Sequence, residues 1–280
     1  MRTEGRRRSD NIEDRRGMST GRMAVGGGIG TVVIVLIVLL LGGNPSEVLN
    51  TLQPDEVESG TYESTAEEEA MADYVSVVLA GTEDVWTKVF NESNMTYRPP
   101  KLVFFGDQIE SACGFAAASS GPFYCPEDEK VYIDLSFCDD LKTKFGAYGD
   151  FAVAYVIAHE IGHHVQNLLG IINDVNSRRS RLSQVRSNQL QVRLELQADF
   201  LAGMWAHYDQ QMFNSLEAGD VEEALNAAAA VGDDVLQKKY QGKVMPDAFT
   251  HGTSAQRKEW FRRGYISGDF NQGDTFSGNI

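Results

Sequence analysis

An uncharged apolar segment near the N-terminus most constrains how this chain can be organised. Residues 24–41 read AVGGGIGTVVIVLIVLLL and contain no charged side chain. A helix of that length is about the shortest that spans the hydrocarbon core of a bilayer. The following GGNPSEVLN lacks the small-x-small pattern of a cleavage site. We therefore predict an uncleaved transmembrane signal anchor at 24–41, with a cleaved signal peptide or a buried core helix as the alternatives.

The charges on either side of this segment predict its orientation. Residues 1–23 contain seven Arg and four acidic residues, whereas residues 42–87 contain no Lys or Arg. Because basic residues accumulate on the cytoplasmic side of membrane spans, residues 1–23 are predicted to be a cytoplasmic Arg-rich tail. The expected localisation is the cell membrane, with a single pass, a cytoplasmic N-terminus and the functional domain outside the cytoplasm.

The acidic residues of the chain bear on its flexible segments and on the partners that it can bind. Residues 42–65 combine acidic residues with Gly, Ser, Thr and Pro and offer few large apolar groups to bury, which is typical of an acidic flexible tether. The whole chain has 25 Lys plus Arg against 40 Asp plus Glu, a net charge of −15. Such a balance argues against a nucleic-acid partner, because binding phosphates requires clustered basic residues.

The hydrophobic pattern predicts an α+β fold. Apolar residues at helical spacing begin near Ala66 and stop near Gly81, and β-branched and aromatic runs at 102–105 and 130–137 predict strands. Helical segments are then predicted at about 150–169, 177–208, 220–239 and 254–263. We expect a mainly helical domain over 66–270, with a small β-sheet before the helix at 150–169 and a C-terminal tail at 271–280.

The sequence HEIGH at 159–163 indicates a metal site on one of these helices. Four residues turn a helix through about 400°, so His159 and His163 lie on one face, one turn apart. Two neutral imidazoles suit zinc, and Glu160 lies beside them, where its carboxylate can take a proton from a water molecule. The simpler alternative is an ordinary helix that carries two core or surface His.

A hydrolytic zinc site needs a third protein ligand, and the segment ELQAD at 195–199 supplies candidates. Glu195 and Asp199 share a helix face in strongly apolar surroundings. We predict Glu195 as the third ligand, and Asp199 as the residue that accepts the outer N–H of a ligand His. The alternative is a solvent-facing pair of acidic residues, which helices often display four positions apart.

Four separated motifs carry a family resemblance. The segments GPFYCPEDEKVYIDLSF (121–137), HEIGHHVQNLLG (159–170), RLELQADFLAGMWAH (193–207) and FTHGTSAQR (249–257) resemble the bacterial Putative neutral zinc metallopeptidase family. The resemblance spans roughly residues 66–270. It implies a zinc peptidase with a zincin-like fold and one Zn²⁺. The ligand set would be gluzincin-like and consist of His159, His163 and Glu195, and Glu160 would be the general base. It also suggests that the substrate binds as an extra strand beside the strand at 130–137, which would then lie at a sheet edge. The alternative is that this strand is interior.

The other His residues have less defined roles. His251 lies in a loop before a helix whose Thr253 and Gln256 have capping-box spacing, and it could donate to the substrate oxygen that gains charge. A structural hydrogen bond within the loop is the alternative. His164 points about 100° away from His163, so we interpret it as a structural or outer hydrogen-bonding residue. His207 is expected to lie in the core or between helices.

The three Cys residues are too few for a disulfide scaffold. Cys113 and Cys125 enclose a loop rich in Gly, Ala and Ser and could pair in an oxidising compartment, with a stabilisation of about 3 kcal/mol. Cys138 is left over, and its pairing with either of the others stays open. The spacing of the three residues lacks the short Cys-x-x-Cys pairs of structural zinc sites.

These observations predict a membrane-anchored zinc peptidase that hydrolyses peptide bonds outside the cytoplasm. Its partners would be a peptide or protein substrate and, through residues 24–41, a membrane. The alternative function is a non-catalytic, membrane-tethered zinc-binding scaffold or interaction protein. The sequence favours the enzyme, because a structural zinc has no need of Glu160 and is usually enclosed by a fourth Cys or His.

Overall fold

The computed structural model describes residues 1–18, 62–278 and 280. Within these residues eight α-helices and two small sheets form a mixed α/β structure. The strands are β1 (Ile12–Asp14), β2 (Lys101–Phe105), β3 (Gln108–Ser111), β4 (Gly114–Ala117), β5 (Phe123–Cys125) and β6 (Lys130–Asp134). The helices are α1 (Ala66–Glu92), α2 (Ser136–Thr143), α3 (Asp150–Leu168), α4 (Ile171–Arg179), α5 (Gln184–Phe213), α6 (Asp220–Ala230), α7 (Asp233–Gln241) and α8 (Ser254–Ser267).

The larger sheet has the strand order β1-β2-β6-β5. β1, β2 and β6 run parallel, and β5 pairs antiparallel with β6. The strand predicted at 130–137 is therefore interior and ends at Asp134, whose carboxylate accepts the backbone N–H of Ser136 at 2.9 Å as α2 begins. In the described part of the chain, β5 forms the sheet edge nearest to α3.

Three helix boundaries differ from the predictions. The predicted helix end near Gly81 is wrong, because α1 continues through it. A Cβ at position 81 would lie 2.6 Å from Arg6 Nη2 and 2.8 Å from Asp209 Oδ1, so this glycine makes room for a buried ion pair. The segments predicted as single helices at 177–208 and 220–239 are each divided into two by short turns.

Glycines allow close crossings between the three helices that build the site. A Cβ at Gly162 of α3 would lie 3.0 Å from the carbonyl oxygen of Ala198 on α5. At the crossing of α5 and α8, a Cβ at Gly203 or at Gly264 would lie 2.0 Å from a backbone oxygen of the facing helix. Any larger residue would force these backbones apart, so the glycines set how deeply α5 is enclosed between α3 and α8.

The N-terminal segment packs on the domain. β1 pairs with β2, and the ammonium of Met1 donates to the Asp150 carboxylate at 2.9 Å. The Arg6 guanidinium donates to both oxygens of Asp209, at 2.5 and 3.0 Å, and Asp209 is completely buried. Residues 1–18 and the helical domain therefore form one folded unit.

This packing corrects the predicted membrane topology. The predicted anchor, residues 24–41, lies outside the described residues, as does most of the tether predicted at 42–65. In the ranges that the structure does describe, no helix combines the length and apolarity needed to cross a bilayer. A cytoplasmic N-terminus and an external domain would place a bilayer between β1 and β2, which are hydrogen-bonded neighbours. The predicted fold with an N-terminal transmembrane helix, and the localisation derived from it, are therefore wrong.

The cysteines follow one of the pairings left open. Cys113 and Cys125 form a disulfide. Cys113 directly precedes β4, and Cys125 is the last residue of β5. Cys138 is free and buried in α2. The disulfide therefore ties the strand nearest α3 to the small β3–β4 hairpin.

Candidate metal centre and active site

The two histidines of the HEIGH segment share one face of α3. The rings of His159 and His163 lie one turn apart, with centroids separated by 4.8 Å. The segment 151–158, FAVAYVIA, is almost entirely buried, which fixes the helix and therefore the direction of both rings. His159 is 7% exposed and His163 is partly buried, so the pair lies at the edge of the core.

Glu195 of α5 meets both rings. Its Oε2 atom lies 3.3 Å from His159 Nε2 and 3.4 Å from His163 Nε2. One ligand atom from each of the three residues lies within 4.8 Å of the other two. Burial raises the pKa of Glu195, but the nearby His163 and His159 lower it more, so the carboxyl is ionised. Two imidazole nitrogens and one carboxylate oxygen thus converge on one point.

Asp199 fixes the orientation of His159. The Nδ1–H of His159 donates to Asp199 Oδ1 at 2.9 Å, which leaves the Nε2 lone pair facing Glu195. Burial lowers the pKa of His159, but the charge and hydrogen bond of Asp199 outweigh it and raise the pKa to about 9. Two carboxylates therefore flank this ring, Asp199 at Nδ1 and Glu195 at Nε2.

Two further side chains hold Asp199. Arg257 of α8 donates to Asp199 Oδ2 at 2.8 Å and to Oδ1 at 3.0 Å, and Tyr155 of α3 donates to Oδ1 at 2.6 Å. Asp199 is completely buried and Arg257 is 3% exposed. Burial raises the pKa of Asp199, but Arg257 and His159 lower it by more, so that the pKa is about 2. The carboxylate that orients His159 is therefore permanently charged.

Two glutamines orient the side chains of His163 and Glu195. His163 Nδ1 donates to Gln166 Oε1 at 2.9 Å, and the Gln166 amide donates to the Leu194 carbonyl at 2.8 Å, which fixes the amide's direction. Gln191, one turn before Glu195, donates to Glu195 Oε1 at 2.7 Å. Glu195 therefore keeps Oε2 for the convergence point, because its other oxygen is occupied.

Glu160 lies beside this centre and is buried. It is 9% exposed, and its pKa is raised, chiefly by that burial. The backbone N–H of Tyr124 on β5 faces its carboxylate and lowers the pKa by a smaller amount. A carboxyl with a raised pKa is suited to accept a proton and release it again near neutral pH.

The structure places His251 in a loop fixed by Asp233. The Asp233 Oδ2 atom accepts the backbone N–H groups of Thr250, His251 and Gly252 at 2.6–2.9 Å, and Oδ1 lies 3.3 Å from His251 Nδ1. Burial lowers the pKa of His251, but Asp233 and the charge of Glu195 raise it more. The side chain is half-exposed and close enough to Glu195 to interact with its charge.

The other two histidines lie apart from this centre. His164 is completely buried against β5, with both ring nitrogens hydrogen-bonded. His207 Nδ1 on α5 donates to the Tyr265 carbonyl oxygen on α8 at 2.7 Å. The interhelical position expected for His207 matches this contact.

Sequence reasoning missed several residues of the site. No role in the site was predicted for Tyr155, Arg257, Gln166, Gln191 or Asp233. Gln166 and Gln191 lie one turn from a predicted ligand, so helical spacing could have identified them. Arg257 is 58 positions from Asp199, and only the crossing of α5 and α8 brings the two together.

The sequence matches the family model described as Putative neutral zinc metallopeptidase, over residues 1–276. The chain therefore belongs to this family. The match includes the N-terminal segment that carries β1, which agrees with its packing on the domain.

Curated relatives span the chain. The uncharacterized protein YpfJ of Escherichia coli K12 is 50% identical over 289 aligned positions that cover 100% of both chains. The uncharacterized proteins Mb2605 of Mycobacterium bovis and Rv2575 of Mycobacterium tuberculosis are each 40% identical over 254 positions, or 85% of each chain. No solved structure matches the chain significantly.

Proposed function

We propose that this protein is a zinc-dependent peptidase whose centre is formed by His159, His163 and Glu195. The observation that carries the proposal is the convergence of two Nε2 atoms on one carboxylate oxygen, with the buried Glu160 beside them. Family membership supports the same reaction class. The convergence uses three protein ligands, which is the number typical of catalytic zinc and leaves a coordination position for water or substrate.

The residues fit a zinc ion on the chemistry of their donor atoms. Both imidazoles have Nδ1 occupied by an acceptor, at Asp199 and at Gln166, so each offers a lone pair at Nε2. Glu195 offers one oxygen, because Gln191 holds the other. When bound, zinc polarises the scissile carbonyl and lowers the pKa of water at the site towards about 7.

Glu160 and His251 would act on the substrate. Glu160 takes the proton of the attacking water and passes it to the leaving nitrogen, for which its raised pKa is suited. His251, held in its loop by Asp233, donates a hydrogen bond to the carbonyl oxygen as that oxygen gains negative charge. The raised pKa of His251 favours the charged form of this donor.

The substrate would be an extended peptide beside β5. This strand is bonded to β6 on one side, and its Tyr124 N–H faces Glu160 on the other. A peptide laid along this side would gain main-chain hydrogen bonds without a strict demand on its sequence. The strand at 130–134, beside which the cleft was expected, is covered on both sides by β2 and β5.

A peptide library tests this proposal. The full chain is incubated with mixed peptides before chelation, after chelation, and after zinc is returned, and the products are sequenced by mass spectrometry. We expect cleavage that disappears with the chelator and returns with zinc. A protein that binds one zinc ion per chain and cuts no peptide would contradict the proposal and favour a zinc-binding scaffold.

A further inference from the structure

Tyr124 of β5 is joined to α3 by its hydroxyl group. The hydroxyl donates to His164 Nδ1 at 3.0 Å and accepts from Asn167 Nδ2 at 3.0 Å. His164 Nε2 in turn donates to the Arg98 carbonyl oxygen at 2.7 Å. Because Nε2 carries the hydrogen that it donates, Nδ1 can accept the hydrogen of the Tyr124 hydroxyl. Both ring nitrogens are therefore committed to fixing the position of Tyr124.

The spacing on α3 connects this contact to Glu160. Positions 160, 164 and 167 recur at i, i+4 and i+7, so they share one helix face. His164 and Asn167 both bond to Tyr124, which shows that this face is turned towards β5. Glu160 therefore faces the same strand one turn earlier, close enough for the Tyr124 backbone N–H to lower the pKa of its carboxyl group.

We propose that His164 is a positioning residue for the general base: through the Tyr124 hydroxyl it holds β5 against the face of α3 that carries Glu160. This inference rests on the proposed peptidase function and assigns a role to the third His of the HEIGHH segment. Neither His164 nor the Tyr124 side chain touches substrate or metal. Their effect reaches the reaction only through the direction of Glu160.

The chain offers a matched control for this test. Tyr97 and Tyr124 both pack edge-on against His164, with ring centroids 5.8 and 5.4 Å away. The Tyr97 hydroxyl is buried and has no hydrogen-bond partner among the residues that the structure describes. Tyr97→Phe and Tyr124→Phe therefore each remove one buried hydroxyl beside the same ring, and only Tyr124→Phe removes a link to Glu160.

The kinetic experiment compares kcat and KM in five variants of the zinc-loaded full chain. We expect Tyr124→Phe and His164→Leu to lower kcat more than they change KM, at unchanged zinc content, and the double variant to be no worse than His164→Leu. His164→Asn, which keeps an acceptor near Nδ1, should restore part of kcat. Tyr97→Phe should match the wild type. Equal kcat in Tyr97→Phe and Tyr124→Phe, or loss of zinc from His164→Leu, would overturn the inference.

A second readout does not depend on activity. Hydrogen exchange of the Tyr124 backbone amide is measured by NMR in the zinc-free protein. The amide should exchange faster in His164→Leu than in the wild type, and at the wild-type rate in Tyr97→Phe. Unchanged exchange in His164→Leu would overturn the positioning role whether or not the protein cleaves peptides. An inactive zinc-loaded wild type would instead contradict the proposed function.

Discussion

The Arg257 guanidinium donates to both oxygens of Asp199, at 2.8 and 3.0 Å, where both side chains are buried. Asp199 in turn holds His159. The pair thus links α8, through α5, to a predicted metal ligand on α3. This pairing explains why the charged Asp199 side chain can be completely buried.

Replacement of Arg257 by Leu should strongly destabilise the fold. The substitution leaves the Asp199 charge buried and without its cation, and breaking such a pair costs about 3–5 kcal/mol. Chemical denaturation of the zinc-free chain measures the change. Arg262→Leu, an exposed position on the same helix, should leave the unfolding midpoint unchanged. Equal effects of the two substitutions would mean that the pair is not a stabilising contact.

Asp199→Asn should weaken zinc binding. The amide cannot hold the Nδ1–H of His159 as a carboxylate does, and loss of such an outer contact lowers metal affinity about 10- to 100-fold. Competition with a chromophoric chelator gives the affinity. Asp209→Asn is the matched control, because Asp209 is also completely buried on α5 and paired with an Arg. If Asp209→Asn weakens zinc binding as much as Asp199→Asn does, the effect comes from the fold and not from His159.

The loop that carries His251 should control the alkaline side of the pH–activity profile. His251→Ala should lower kcat about 100- to 1,000-fold, the usual effect of removing one donor to the charged oxygen. Because Asp233 raises the pKa of His251, the donor stays protonated above the ordinary range of histidine, and activity falls only as pH rises through that higher pKa. Asp233→Asn should move this alkaline limb to lower pH. A limb that stays in place would exclude His251 as the titrating donor.

The N-terminal segment should stabilise the domain through Arg6. Arg6→Ala leaves Asp209 charged and buried at zero exposure, which should lower the free energy of unfolding by about 3–5 kcal/mol. Arg8 also pairs with an aspartate, Asp73, but both side chains are about half-exposed. Arg8→Ala should therefore leave the unfolding midpoint unchanged. A neutral effect of Arg6→Ala would show that residues 1–18 do not contribute to the stability of the domain.

The sequence predicted local features better than distant ones. The HEIGH and ELQAD segments predicted two helix faces that the structure brings together, because helical spacing fixes which side chains share a face. The family identified from four motifs is confirmed. The roles predicted for His159, Glu160, His163, Glu195, Asp199 and His251 stay predictions until they are measured.

The features that the sequence did not predict depend on contacts between distant segments. Helix propensity assigns glycine the same unfavourable free energy at every helix position, so Gly81 was expected to end α1. In the structure α1 continues, and Gly81 leaves space for the Arg6–Asp209 pair. The Arg residues near the N-terminus were interpreted as a topology signal. Their actual partners, such as Asp209 and Asp84, lie on α5 and α1 and could not be inferred from the adjacent sequence.

The most direct test of the central claim is peptide cleavage by zinc-loaded wild type and Glu160→Gln at equal zinc content. Glu127→Gln, on the turn between β5 and β6, serves as a control for the loss of one negative charge. The proposed chemistry predicts that Glu160→Gln keeps its zinc and loses cleavage, while Glu127→Gln cleaves like the wild type. Cleavage that persists in zinc-loaded Glu160→Gln would contradict the role of Glu160 and the mechanism built on it.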